Sequence, residues 1–349
     1  MNFFEYSVFG AAHELYIAEI HFGVLSLNDG TKTCIPQQYP FSGPWGENVV
    51  DIVPIREALP VPISIEIAYL SIIEEKFYYL PININPVVME KVFETFSGYT
   101  SKTPYNVIVG LAPYAGVSLW LGNTQKQLLL GWIKGQMIDI PMIDFLPQQP
   151  DISIHEYCMD YINNDPKVKE NLEKNGLPPR DLFDRYMQQF TYRYVVRFGH
   201  WNDEKKEWKE YEGDETKPEF DYIEEALFDG THDKLHDGGL MKYHEAGKPK
   251  KLALQWHIKK SDFSAYLWFD DMAIRAAFEQ FYYKYPEAKM DFIFRIDVEK
   301  KVFLLSLNCD EAEEPMSLSE DTFQMIVFKS KFEYYRTANY NQPRGAWIW

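Results

Sequence analysis

The stretch Ile65–Leu121, IEIAYLSIIEEKFYYLPININPVVMEKVFETFSGYTSKTPYNVIVGLAPYAGVSLWL, decides how the chain reads. Ile65, Ile67 and Tyr69 alternate with Glu66 and Ala68, the period of a half-buried strand. Lys76 to Ile84 forms a second strand. Asn85-Pro86 then opens a helix: the Asn side chain accepts from free backbone N–H groups, and Pro is tolerated at the first helical position. Met89, Val92, Phe93 and Phe96 place one apolar stripe against a sheet, and Gly98 ends the helix. Val107–Val109 and Val117–Leu121 pair as a hairpin across Ala112-Pro-Tyr-Ala-Gly116, and Gln127 to Ile133 adds a strand. The unit is strand-strand-helix-strand-strand, a sheet covered by one helix.

The same pattern returns at Lys250–Ser306, at a constant, ungapped shift of 185 positions. Met89, Val92, Phe93 and Phe96 fall on Ile274, Ala277, Phe278 and Phe281. The cap Asn85 falls on Asp270, and Val117-Ser-Leu falls on Val302-Phe-Leu. The expected fold is therefore α+β: two pseudo-repeated antiparallel sheet-plus-helix (ββαββ-like) domains joined by a helical bridge. The first domain spans 1–140, the helical linker 141–190 and the second domain 191–349.

Outside the repeat, Glu14 to Ser26 reads as one strand or a bent pair, followed by the Asn28-Asp-Gly30 turn. Gln37 to Asn48 is a loop that carries Trp45. Asp165-Pro166 caps a short helix that stops at Gly176, and Leu177-Pro-Pro-Arg-Asp181 starts another. Tyr192 to Phe198 is a strand, and Asn202 to Pro218 a charged, exposed hairpin or loop. The C-terminal stretch holds Phe328, Phe332, Tyr340, Trp347 and Trp349, aromatic enough to require docking on the second domain.

A length of 349 residues suits two domains, and the 46% hydrophobic and 25% charged composition is globular. The formal net charge is −17, with 7 basic against 14 acidic residues up to Pro150 and 28 against 38 beyond it. Both halves being acidic argues against a nucleic-acid partner, which requires a basic stripe. Cys34, Cys158 and Cys309 lack a metal-ligand spacing and read as free, buried thiols of a reducing compartment. No signal peptide or membrane span of ~20 apolar residues is evident, so a cytoplasmic location is expected.

The richest polar cluster is Thr231-His-Asp-Lys-Leu-His-Asp-Gly-Gly239, with His244 and Glu245 nearby. His232 and His236 are four apart. On a helix they would share a face and could hold a metal, with Asp233 or Asp237 assisting. The two glycines and the polar mix point instead to a solvated loop. Trp45, His232, Asp233, His236, Asp237 and His244 are the candidate binding residues; no catalytic residue, metal or cofactor is assigned. Glu74 and Glu75 beside Lys76 fall at a strand–strand turn and read as solvated. Gly-x-Ser-x-Gly, GxGxxG and P-loop motifs are absent.

Several blocks resemble one family. They are Trp45-Gly46, Leu59-Pro60, Tyr69-Leu-Ser71 with Glu75-Lys-Phe-Tyr78, and Leu80-Pro81. With them go Ile108-Val-Gly-Leu-Ala-Pro113 followed by Val117-Ser-Leu-Trp-Leu121, and Leu177-Pro-Pro-Arg-Asp-Leu-Phe-Asp-Arg-Tyr186. The chain is similar, over essentially its whole length, to the bacterial family catalogued as domain of unknown function 2931. That resemblance implies a Gram-negative source, genes near secretion and toxin loci, and relatives that are often lipoproteins, although no lipobox cysteine stands near this start. It implies no catalytic residues. The function expected is a non-enzymatic protein-binding protein. Most concretely, it is an immunity or adaptor protein of an antibacterial, type VI-like secretion system, with a cognate toxin or effector as partner. The alternatives are a metal-dependent hydrolase using the 231–245 His/Asp loop, or a glycan or small-ligand binder using Trp45, Trp120 or Trp256.

Overall fold

The computed structural model describes residues 2–37, 40–47, 58–97, 105–202, 204–212, 218–236, 242–258, 261–297, 303–329 and 333–335. The chain divides into two units, Met1–Met187 with Asp229–Thr231, and Gln188–Phe228 with His232–Trp349. Strand is the main secondary structure, with helix a minor share, so the chain is α+β.

In the first unit, β1 (Phe3–Ala12) and β2 (Ala18–Leu27) are joined by a turn in which the Tyr16 N–H donates to His13 O at 2.8 Å. β3 (Lys32–Cys34) returns along β2 after a turn where Gly30 takes φ +87°. There Asp29 Oδ1 accepts from both the N–H and the hydroxyl of Thr31. Then follow β4 (Ala58–Pro60), β5 (Pro62–Ser71), β6 (Lys76–Asn83), α1 (Pro86–Ser97), β7 (Tyr105–Ala112), β8 (Gly116–Gly122), β9 (Gln127–Lys134) and β10 (Gln136–Ile138). One sheet runs β4-β1-β7-β8-β9, with β1 parallel to β7. The other runs β10-β6-β5-β2-β3 and is antiparallel throughout.

Two expectations need correction here. The strand placed over Glu14–Ser26 is β2, beginning at Ala18, but β1 ahead of it was not anticipated. From Tyr6 onward β1 is buried on both faces, so it lacks the alternation that betrays a half-buried strand. The unit is also not one antiparallel sheet under a helix: β5–β6 and β7–β8 lie in different sheets, and β1 and β7 are parallel.

The core forms from the inward faces of these two sheets and α1. It gathers Tyr6 and Val8 of β1, Ile65, Ile67 and Tyr69 of β5, Val107 and Val109 of β7, and Met89, Phe93 and Phe96 of α1. Asn85 caps α1, its Oδ1 accepting from the N–H groups of Val87 and Val88 at 3.0 and 3.4 Å. Phe93 stacks on Phe4 at 4.7 Å and lies 5.1 Å from the Tyr6 ring. Gly98, expected to end α1, lies outside the described residues.

The stretch expected as a linker carries α2 (Met142–Phe145), α3 (Ile154–Asn164), α4 (Pro166–Asn175) and α5 (Leu182–Tyr186), all within the first unit. A capping box starts α3, Ser153 and Glu156 exchanging side-chain and backbone hydrogen bonds. Asp165 and Pro166 start α4, and it stops before Gly176. Phe183 of α5 packs on Trp45 at 4.9 Å and Tyr16 at 5.8 Å.

The second unit comprises β11 (Phe190–Asn202), β12 (Glu207–Glu210), β13 (Glu219–Leu227), β14 (His232–His236), β15 (His244–Ala246), β16 (Pro249–Ile258), β17 (Ser261–Phe269), α6 (Asp271–Lys284), β18 (Met290–Asp297), β19 (Phe303–Asn308), β20 (Met316–Ser317), β21 (Phe323–Lys329) and β22 (Glu333–Tyr335). One sheet runs β12-β11-β18-β19-β20, with β11 parallel to β18 and β15 also on β11. The strands β22-β21-β17-β16-β13-β14 pair in that order, each antiparallel to the next. Phe278 of α6 meets Phe190 and Tyr192 at 5.2 and 5.7 Å. Phe332, Tyr340, Trp347 and Trp349 lie outside the described residues.

A single shift of 185 across the two stretches does not match the pairing. Ser71 pairs with Lys76 across four residues, whereas Ile258 pairs with Ser261 across two. The shift that fits β6 and β17 therefore becomes 187 on β5 and β16. It becomes 186 on β8 and β19, since Asn106 pairs with Gly122 and Asp291 with Asn308. The two-residue slip on β5 and β16 escapes an ungapped alignment because it leaves every strand residue on the same face, and the one-residue slip escapes it because β8 is buried on both faces and shows no alternation.

Candidate functional site

The residues singled out from sequence do not converge. His232, Asp233 and His236 lie on a strand, β14, not on a helix or an irregular loop. Four residues of strand span about 13 Å, and side chains stand roughly perpendicular to the sheet, so His232 and His236 cannot close on one ion. His236 faces Tyr222, ring centroids 6.0 Å apart, and the neighbouring Lys234 donates to Glu224 Oε1 at 2.8 Å. Asp237 lies outside the described residues. Among the described residues no group of three His, Cys, Asp or Glu side chains is gathered as a metal would require.

His244 sits apart, on β15. Its ring packs 5.3 Å from Tyr192, and its Nε2 is 4.0 Å from Glu225 Oε1. Glu225 is buried and accepts from the Tyr194 hydroxyl at 2.6 Å, while Tyr192 donates to Gly247 O at 2.8 Å. Burial, reinforced by the Glu225 charge, pushes the Tyr194 hydroxyl well above its ordinary range. This is a hydrogen-bonded polar core of the second unit.

Trp45 is not a surface platform. It is buried, with its ring edge-on to Trp120 at 5.0 Å. Trp120 and Trp256 are fully buried as well, Trp256 stacked on Phe263 at 5.6 Å. A glycan platform must present its face to solvent, so the three tryptophans named for that role do not supply one. Cys34, expected to be buried, is exposed; Cys158 and Cys309 are buried.

The residues that do gather lie at one margin of the first unit, around two tight turns. Among the described non-glycine residues, positive φ occurs at Glu75 (55°), Tyr114 (60°), Ala115 (65°) and Lys206, and the first three are all here. Such backbone persists only where the surroundings hold it, and it concentrates at functional places. Glu74 supplies the hold. Its Oε2 accepts from the Tyr114 N–H at 2.8 Å and its Oε1 from the Tyr78 hydroxyl at 2.9 Å. The Tyr114 hydroxyl donates to Pro178 O at 2.7 Å, and the Arg180 guanidinium lies 5.7 Å from its ring. Burial first, then the Glu74 charge, raises the hydroxyl pKa of Tyr78 and of Tyr114. Glu75 meets His155 Nδ1 at 2.8 Å, so the pair read as a solvated turn is built into the fold at both members.

From the same corner the chain leaves along β10. Gly135 donates its N–H to Ala115 O at 2.8 Å. A Cβ at Gly135 would meet Tyr79 O at 2.5 Å, so only glycine lets the strand close on β6. Among the described residues β10 is the outermost strand of its sheet, with Met137 opposite Tyr78 and 66% exposed. Ile143 of α2 is 59% exposed a few residues on, while Phe145 folds back onto Phe77 at 5.0 Å. The result, among the described residues, is an open sheet edge followed by a segment in which apolar and exposed acidic residues interleave. The available signals in sequence were the Pro-Tyr-Ala-Gly turn and the run Gln136-Met-Ile-Asp-Ile-Pro-Met-Ile-Asp144, in which apolar and acidic residues interleave.

Among the described residues no helix is long and apolar enough to cross a membrane. No curated protein and no solved structure matches the chain. The family described as protein of unknown function (DUF2931) does match, over residues 4–179. The resemblance thus covers the first unit and half of the chain rather than its whole length. It includes the Glu74 corner, the strained turn and β10. On that match, the chain belongs to the DUF2931 family.

Proposed function

We propose that this chain is a non-enzymatic protein-binding protein: an immunity or adaptor protein of an antibacterial, type VI-like secretion system in a Gram-negative bacterium. It would act sterically, by covering a cognate toxin or effector. The observation that carries the binding role is the margin of the first unit, where β10 is the outermost strand among the described residues and carries exposed Met137, with exposed Ile143 six residues along the chain on α2. An open sheet edge bearing an exposed large apolar side chain favours a protein partner. The secretion context rests on the family resemblance. Pull-down of the full chain with the product of the adjacent gene tests the role; failure of that product to bind counts against it.

The reading has an architectural part, in which the two units are copies of one module. Each has a parallel pair, β1 with β7 and β11 with β18, whose second strand continues into a hairpin. Each has a four-strand antiparallel run, β10-β6-β5-β2 and β21-β17-β16-β13. The turn between β13 and β14, whose residues Asp229–Thr231 group with the first unit, repeats the one between β2 and β3: Asp229 accepts from Thr231 N–H and hydroxyl as Asp29 does from Thr31, with Gly230 at φ +85°. Asp270 caps α6 as Asn85 caps α1. A duplicated module often retains contact in one copy and structure in the other; here the strained corner belongs to the first.

A further inference from the structure

We infer that β10 receives an extended, basic segment of the partner as an added strand. This rests on the binding role proposed above and specifies its mode. β6 occupies one side of β10 through the pairs Gln136–Tyr79, Met137–Tyr78 and Ile138–Phe77, and among the described residues the sheet ends there. The outward N–H and C=O groups of an edge strand are a template for another chain. Proteins commonly block such edges with Lys, Pro or a bulge, yet β10 reads Gln-Met-Ile.

The occupant's charge follows from the surroundings. Between Gly135 and Asn164 the chain carries Asp139, Asp144, Asp151, Glu156 and Asp160, and neither Lys nor Arg. Asp139 and Asp144, immediately after β10, are exposed. The one base on the neighbouring strand is Lys76, at the start of β6. An added strand carrying basic and apolar residues would meet the exposed carboxylates of Asp139 and Asp144 together with the exposed Met137 side chain. A second copy of this chain would bring the same carboxylates together, so self-pairing is disfavoured. Contact with only three residues makes the backbone contribution modest, and charge supplies the selectivity.

The probe is an N-acetylated octapeptide of alternating Lys and Val, compared with its Glu and Val counterpart on the full chain. The Lys peptide should bind about tenfold tighter or more, weaken as salt is raised, and slow amide exchange at Gln136–Ile138. Met137→Lys, a change at an exposed position, should weaken binding without lowering the unfolding temperature. Equal binding of the two peptides, protection confined elsewhere, or protection of these amides by self-association without peptide would overturn the inference. A cognate partner captured while these amides exchange freely removes strand addition and leaves the binding role standing. Peptide binding as described, with no gene-neighbour partner, supports the edge and counts against the immunity role.

Discussion

Glu74→Ala is the most direct perturbation of the strained corner. The carboxylate accepts from the Tyr114 N–H and the Tyr78 hydroxyl at 2.8 and 2.9 Å. Hydrogen bonds to a charged group contribute about 1.5–3 kcal/mol each, and a buried donor stripped of its acceptor costs about 1–3 kcal/mol. Tyr78 is buried, but Glu74 is half-buried, so water recovers part of the loss. A net cost of about 3 kcal/mol follows. For a unit of this size that lowers the unfolding temperature by roughly 6–12 °C. Glu74→Gln retains one acceptor oxygen and should cost about half as much. Ala115→Gly serves as the opposing control: at φ +65° a glycine carries no Cβ penalty, so the change should be neutral or stabilising by up to about 1 kcal/mol. Thermal unfolding followed by circular dichroism reads all three. An unchanged unfolding temperature for Glu74→Ala, or equal damage from Gln and Ala, would refute the claim that this carboxylate holds the turn.

Three further outcomes follow. Phe93→Ala and Phe278→Ala each empty a fully buried site on the helix of one unit and should each cost about 3–5 kcal/mol in urea unfolding; a loss under about 1 kcal/mol at either position would break the proposed equivalence of α1 and α6. Glu19 has its pKa raised from 4.5, chiefly by burial, against the opposing hydrogen bond from Tyr157. Its contribution to stability is fully present below 4.5 and is lost as pH rises through the folded value, so Glu19→Gln should be more stable than the parent at neutral pH and converge with it in acid. A Glu19→Gln chain that is less stable than the parent at neutral pH refutes this. Finally, burial and then the Glu75 and Glu19 charges push the Cys158 thiol up to about 12, so iodoacetamide at pH 8 should label exposed Cys34 in the native chain and reach Cys158 only on unfolding, as read by mass spectrometry.

How much was legible can be argued from single elements. The α1 stripe of Met89, Phe93 and Phe96, its Asn85 cap, the β7–β8 hairpin and the Asp165–Gly176 helix are all local patterns, and local physics produces them. β1 was missed because a strand buried on both faces has no period to read. His232 and His236 read as part of a solvated loop and lie on a strand instead, because a four-residue spacing says nothing until the backbone conformation is known. Glu74 and Glu75 were seen but read as solvated, since their partners Tyr114 and His155 are 40 and 80 residues away in sequence.

By itself the sequence determined the strands, turns and caps whose hydrogen bonds close within a few residues, and the acidic run after β10. Only the tertiary structure decided which strands share a sheet, that β1 lies parallel to β7, that Trp45 is core, and that β10 ends its sheet. Those facts depend on pairing between residues distant along the chain. Periodicity tells which face of a segment is apolar; it carries no information about what that face, or that edge, will meet.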